Sequence, residues 1–286
     1  MINLIKRISI LTLVLLVSAC ATQQTGSRSS VVSYLYPDGA VPSVNEQIPR
    51  LNLPLRMGIA FVPGSSNHRN SSALPWTEVA AASLTEHDKT RMLNQVKAHF
   101  AAQPFIGQIE VIPGNYLTPG GSFTNLDQLR AMFNIDVIAL VSYDQVQFTE
   151  DTKLSLSYWT LVGAYLVSGQ KNDTHTLMDT AVYAIESRKL LFRAPGSSQL
   201  KGSSTPVDLQ LQLRKDSQQG FDQANTDMIA QLETELTAFK ERIKQRPNDV
   251  QLVNNANYSG GAFYLLLPLL GAIVVRRLVL RRKPAG

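Results

Sequence analysis

The 286-residue chain predicts an α+β (or α/β) fold, a single mixed-sheet sandwich with packed helices, held between two apolar terminal segments. Three observations point there. The middle of the chain reads β-α-β-α-β-β-β-α, an order that describes a sheet carrying helices. Residues 135–142, Ile-Asp-Val-Ile-Ala-Leu-Val-Ser, form a nearly continuous apolar run, the pattern of a strand covered on both faces. Pro and Gly punctuate the element ends at Pro63-Gly64, Pro104, Pro113-Gly114 and Pro247.

The folded body is expected over residues 55–246. Residues 55–62, Leu-Arg-Met-Gly-Ile-Ala-Phe-Val, read as the first strand, followed by a polar loop through Ser72. Thr85 caps a helix with Glu86 and Asp88 in its first turn, where acidic groups meet the positive end of the helix dipole. Met92, Val96 and Phe100 recur on one face. Pro104 ends this helix, and residues 109–112 form a second strand. Asn125 caps a short helix through Phe133, with Leu126, Leu129, Met132 and Phe133 facing inward. Beyond residues 135–142 come three strand-like segments without a helix between them, 145–148, 155–167 and 177–192. Gly169-Gln-Lys-Asn-Asp173 connects the last two as a hairpin. A Ser/Gly-rich loop over residues 195–205 leads to an amphipathic helix over 218–245, with Phe221, Met228, Leu232, Leu236, Phe239 and Ile243 in one stripe. Residues 247–259 are a polar spacer. Residues 20–54, rich in Ser, Gln, Thr, Pro and Gly, bury too little apolar surface to offset the entropy of ordering and read as a flexible tether. Within them, residues 31–36, Val-Val-Ser-Tyr-Leu-Tyr, are the stretch able to dock on the body.

The termini carry the sharpest signals. Lys6 and Arg7 precede an apolar segment, Ile8 to Val17, and then Val17-Ser18-Ala19-Cys20, so residues 1–19 have the charge, apolar length and small residues of a signal peptide. The quartet resembles the lipobox of bacterial lipoproteins. That resemblance implies lipidation of the Cys20 sulfur by diacylglycerol, cleavage before it, and acylation of the new amino terminus. Two or three acyl chains hold a protein on a membrane, since each buried methylene contributes about 0.8 kcal/mol. Cys20 is the single cysteine, so the body has no thiol for a disulfide, a thiolate metal site or a cysteine nucleophile. Ala21, where lipoprotein families place an aspartate for inner-membrane retention, implies the outer membrane.

At the other end, Ser259-Gly260-Gly261 leads into the apolar residues 262–275, interrupted by Pro268, and then Arg276, Arg277, Arg281, Arg282 and Lys283. Fourteen apolar residues are fewer than the roughly 20 a spanning helix needs, and the arginines suit the cytoplasmic interface. Residues 260–286 resemble the GlyGly-CTERM sorting signal, whose two glycines and proline weaken a helix where an intramembrane protease must unwind it. The pair of signals is similar to that of the rhombotarget lipoproteins. The resemblance implies processing near Ser259, Gly260 and Gly261 by a rhombosortase-like intramembrane protease, after transient inner-membrane insertion of the tail. It also implies lipoprotein-processing enzymes and the type II secretion machinery as partners, and a destination at the outer membrane or cell surface of a Gram-negative bacterium. The element order of the body is similar to small periplasmic lipoprotein domains of the TolB amino-terminal or curli-secretion type. An alternative keeps the tail as a membrane anchor.

Net charge excludes a nucleic-acid partner. The formal +5 comes from the ends: removing the seven basic residues of 1–19 and 262–286 leaves 20 of 27 basic side chains against 22 acids, a formal charge of −2. No cofactor or metal is expected, because His68, His87, His99 and His175 lack ligand spacing. His87 and His99, twelve residues apart on one helix, point about 120° away from each other. There is no G-x-S-x-G elbow and no phosphate-cradling loop with its lysine; Pro119-Gly120-Gly121-Ser122 reads as a turn. Trp76, Tyr158 and Trp159 could line a ligand groove, but core packing is the better account of them. The body is therefore expected to be a non-catalytic binding or assembly module. The alternative, a surface-attached hydrolase, needs a serine or carboxylate beside His68 or His87.

Overall fold

A computed structural model describes residues 23–39, 47–65, 84–151, 169–205 and 207–254. The fold is α+β: a seven-stranded mixed sheet with four α-helices among the described residues. The strands are β1 (Gln23–Ser29), β2 (Arg50–Leu53), β3 (Leu55–Phe61), β4 (Gly64–Ser65), β5 (Ile106–Val111), β6 (Val137–Asp151), β7 (Gln170–Ala184), β8 (Lys189–Ser204) and β9 (Gln251–Asn254). The helices are α1 (Val31–Leu35), α2 (Glu86–Phe100), α3 (Ser122–Phe133) and α4 (Leu209–Gln245). Strands β2 and β9 form a separate parallel pair.

The 15-residue β6 organises the sheet. One edge pairs along its whole length with antiparallel β7, from Val137↔Ala184 to Asp151↔Gln170. The other edge is shared by two short strands placed end to end. Parallel β3 takes the first part, from Met57↔Val137 to Phe61↔Val141. Antiparallel β1 takes the second, from Arg28↔Asp144 to Gln23↔Thr149. Strand β5 lies outside β3, and β8 lies outside β7.

Helices cover both faces of the first half of β6. Side chains alternate along a strand, so Val137, Ala139, Val141 and Tyr143 pack with Met92, Val96 and Phe100 of α2 and with Phe221, Met228 and Leu232 of α4. On the opposite face, Ile138 and Leu140 pack with Leu126 and Leu129 of α3 and Tyr34 and Leu35 of α1. The expected single core is thus two layers divided by the sheet. Tyr34 joins α1 to α3: its hydroxyl donates to Asn125 Oδ1 at 2.7 Å, and burial pushes its pKa well up. At the start of the sheet the Arg56 guanidinium holds the buried Asp136 carboxylate through bonds of 2.8 and 2.9 Å. It also reaches the side chain of Asn134, the left-handed residue that closes α3.

Several expectations hold. Thr85 accepts from Asp88 N at 3.2 Å as the cap of α2. The apolar run 135–142 is buried on both faces, and residues 31–36 dock as α1. Others are corrected. The supposed tether 20–54 is ordered beyond residues 31–36 as well, as β1 and β2, because strand pairing uses the backbone and needs few apolar side chains. Residues 135–142 and 145–148 are one strand. Residues 177–192 are two strands joined by a tight turn, so the hairpin lies at residues 185–188 and Gln170 to Asp173 belong to β7. The Ser/Gly-rich stretch 195–205 is the second half of β8 and not a loop. Helix α4 begins nine residues before the expected start at Gln218. Asn125 sits inside α3 as a buried acceptor, and Met132 is exposed. Part of the spacer, Gln251–Asn254, pairs with β2. The segment 155–167 lies outside the described residues.

Gly196 sets how closely α4 lies on the sheet. A Cβ there would come within 2.3 Å of Ala224 O and 2.4 Å of Met228 N, both backbone atoms that cannot rotate away. Gly196→Ala is expected to destabilise the body by about 1–3 kcal/mol, a steric cost exceeding the entropy gained by replacing glycine. Urea unfolding of the variant should show a lower midpoint at an unchanged slope.

Candidate interaction surface

Beyond Tyr143 the sheet changes character. The second half of β6, with β1, β7 and β8 beside it, forms a wing that, among the described residues, α4 alone covers with a helix, on one face. The side chains under α4 remain buried but become polar: Gln145, Gln147 and Thr149 on β6, and Asn172, Thr174 and Thr176 on β7. Such groups are costly to bury unless hydrogen-bonded. Here the helix backbone supplies partners. Gln147 Nε2 donates to Leu213 O at 2.8 Å and to Thr174 Oγ1 at 3.1 Å. Gln145 Nε2 donates to Ser217 O at 3.1 Å and Thr176 Oγ1 at 2.7 Å, while Ser217 Oγ donates back to Gln145 Oε1 at 2.6 Å. Ser198 Oγ of β8 donates to Gly220 O at 2.8 Å.

The register has a simple origin. Two residues along a strand rise about 6.6–6.8 Å, and four residues along a helix rise about 6.0 Å. Glutamines two apart on β6 therefore reach carbonyls four apart on α4. Gly220 permits the approach, since a Cβ there would lie 2.6 Å from Thr176 Oγ1.

The opposite face of the wing carries no helix among the described residues. Cross-strand rows there include Arg28, Asp144, Leu177 and Ser197; then Val146, His175 and Gln199; then Phe148, Asp173 and Lys201. Leu177 is 48% exposed. The His175 ring lies edge-on to Phe148 at 6.0 Å between centroids and 3.2 Å from Asp173 Oδ1. Val146, Phe148 and Leu177 thus form a partly exposed apolar stripe framed by both signs of charge. The outer edge of β8 is less open. Pro195 has no N–H to offer, and Ser197 N already donates to Asp227 Oδ2 of α4 at 2.9 Å.

Other places bind themselves. The carboxyl ends of β3 and β5, where open α/β sheets hold ligands, are closed by Glu86, which accepts from Gly114 N at 3.3 Å and Lys89 Nζ at 2.7 Å. A shallow depression of about 750 Å³ along α4 is lined by residues that include Lys215, Gln219, Asp222 and Thr226, with Asp222 paired to Arg91 at 2.7 Å.

The three described histidines are dispersed. His87 is exposed in the first turn of α2, His99 near its end lies 3.2 Å from Glu233 of α4, and His175 is on the wing. No three His, Cys, Asp or Glu side chains cluster as a metal site among the described residues. Cys20, Ser259, Gly260, Gly261, His68, Trp76, Tyr158 and Trp159 lie outside the described residues. Sequence reasoning missed the wing face, although the alternation of polar and apolar side chains from Gln145 to Phe148 signals a half-covered strand. No helix among the described residues is long and apolar enough to cross a membrane. No protein-family model matches the chain, and no curated protein matches it.

The α4 register predicts energetic coupling between Gln145 and Ser217. Ser217→Ala should cost about 1–2 kcal/mol by leaving a buried acceptor unpaired. A double-mutant cycle with Gln145→Leu should return a coupling of about 1 kcal/mol, and additive effects would show that the two side chains do not meet.

Proposed function

We propose that this chain is an exported lipoprotein of the Gram-negative cell envelope whose body is a non-catalytic binding or assembly module. The address rests on sequence: the Val17-Ser18-Ala19-Cys20 quartet after a basic and apolar opening, and Gly260-Gly261 before an apolar, arginine-ended tail. In this reading Cys20 carries the acyl chains, a rhombosortase-like protease cuts near Ser259 to Gly261, and the mature protein resides at the outer membrane or cell surface. Lipoprotein-processing enzymes and the type II secretion machinery are the partners on the route.

The observation that carries the role of the body is the wing. It is held rigidly from beneath by the glutamine contacts to α4, while its other face presents Val146, Phe148 and Leu177 between charged neighbours. A rigid, half-apolar sheet face recognises a partner by area and not by chemistry at a point. The hydrolase alternative has less to stand on: His87 makes no hydrogen bond or ion pair among the described residues.

Mass spectrometry of both terminal peptides, from protein purified from its native host, tests the address. The expected result is a diacylglyceryl and N-acyl adduct on Cys20 together with a carboxyl terminus near Gly260. An unmodified Cys20, or a tail running intact to Gly286, contradicts the corresponding half of the reading.

A further inference from the structure

We propose that the free end of the wing lies directly against the lipid bilayer and is the membrane-apposed surface of the body. This rests on the reading of Cys20 as the acylated residue. Cys20 stands three residues before Gln23, the first residue of β1. Three extended residues span at most about 10 Å, so acyl chains on Cys20 bring the start of β1 to the headgroups. The structure thus leaves no room for the long tether the sequence suggested.

Register fixes which end of the sheet this is. Gln23 pairs with Thr149, two residues before the end of β6, and the next rows of the same end are Asp151↔Gln170 and Gln170↔Ser204. Just past Ser204 the chain turns into α4, and there two large apolar side chains are left in the open, Val207 at 51% and Leu211 at 55% exposure.

The opposite end of the same strands is of the other kind. The turn between β7 and β8, about 46 Å away at ~3.3 Å per residue, holds Glu186 paired with Arg130 and Arg188 near Asp127. The two ends of the strands therefore differ: the wing end sets exposed Val207 and Leu211 among Glu150, Lys171 and Lys201, charges suited to a zwitterionic and anionic headgroup layer, whereas the far end is closed by ion pairs.

The test uses the full chain with Cys20 acylated, so that an added cysteine is the single free thiol. A fluorophore is attached at Ser203→Cys on the wing end or Glu186→Cys at the far turn. The protein is then placed in phosphatidylethanolamine and phosphatidylglycerol vesicles with or without brominated acyl chains. The expected result is loss of fluorescence at Ser203 with brominated lipid and none at Glu186, and weaker loss at Ser203 when Val207→Asp and Leu211→Asp are added. Lys171→Cys, across the ladder from Ser203, serves if Ser203→Cys does not fold. With Cys20 acylated by mass, absence of quenching at Ser203, or equal quenching at both positions, overturns the apposition and leaves the lipoprotein reading intact. An unacylated Cys20 overturns both.

Discussion

The structure depends on one strand being paired along both edges while its surroundings change halfway. β6 is too long for any single neighbour among β1 and β3, and its one edge is completed by β3 running with it and β1 running against it. Loss of β1 would leave six residues of β6, Asp144 to Thr149, with a bare edge, and an unpaired edge of that length invites pairing with another chain. The amino-terminal segment is therefore structural. It completes the sheet at the point where the core ends and the wing begins.

The transition at Tyr143 explains why the wing can be both rigid and half exposed. Before it, apolar side chains meet apolar helices on two faces, and burial at about 25 cal/mol per Å² supplies the cohesion. After it, cohesion passes to hydrogen bonds between strand side chains and the backbone of α4. Those bonds are directional and hold the helix in one register, because a shift by one residue would remove the carbonyls of Leu213 and Ser217 from the reach of Gln147 and Gln145 together. Gly196 and Gly220 keep helix and sheet close enough for this to work. The two ends of the described body also part company. Gln23 lies at the wing end, whereas Asn254 pairs with Leu53 beside the start of β3, about 40 Å away along β6. The chain thus enters the described body at the wing end and leaves it at the other end of the sheet.

What could be read from the sequence follows from which forces write themselves into side chains. The first half of β6 was legible because burial on both faces demands Val, Ile, Ala and Leu in succession. Helix α2 was legible because Thr85, Glu86 and Asp88 satisfy a helix start and Met92, Val96 and Phe100 repeat at its period. Strand β1 was not, since Gln-Gln-Thr-Gly-Ser-Arg-Ser contributes backbone pairing and little else. The second half of β8 was hidden for a related reason: its Gly and Ser are small so that α4 can approach, and small polar residues look like a loop. The first turns of α4 were hidden because the stripe facing the wing there is mixed, Leu213 being followed by Asp216 and Ser217 where a core helix has apolar side chains. The terminal motifs are the opposite case, being patterns of the linear chain that folding neither creates nor conceals.

The claim on which the rest stands is that residues 23–29 are a strand of the sheet and not a tether. Hydrogen exchange of the full-length protein, read at the amides of Gln23–Ser29 beside those of Asp144 to Thr149, tests it most directly. Shared slow exchange, with both segments released by the same opening, is the predicted result. Exchange of residues 23–29 at the rate of an unstructured peptide, while β6 stays protected, would contradict it.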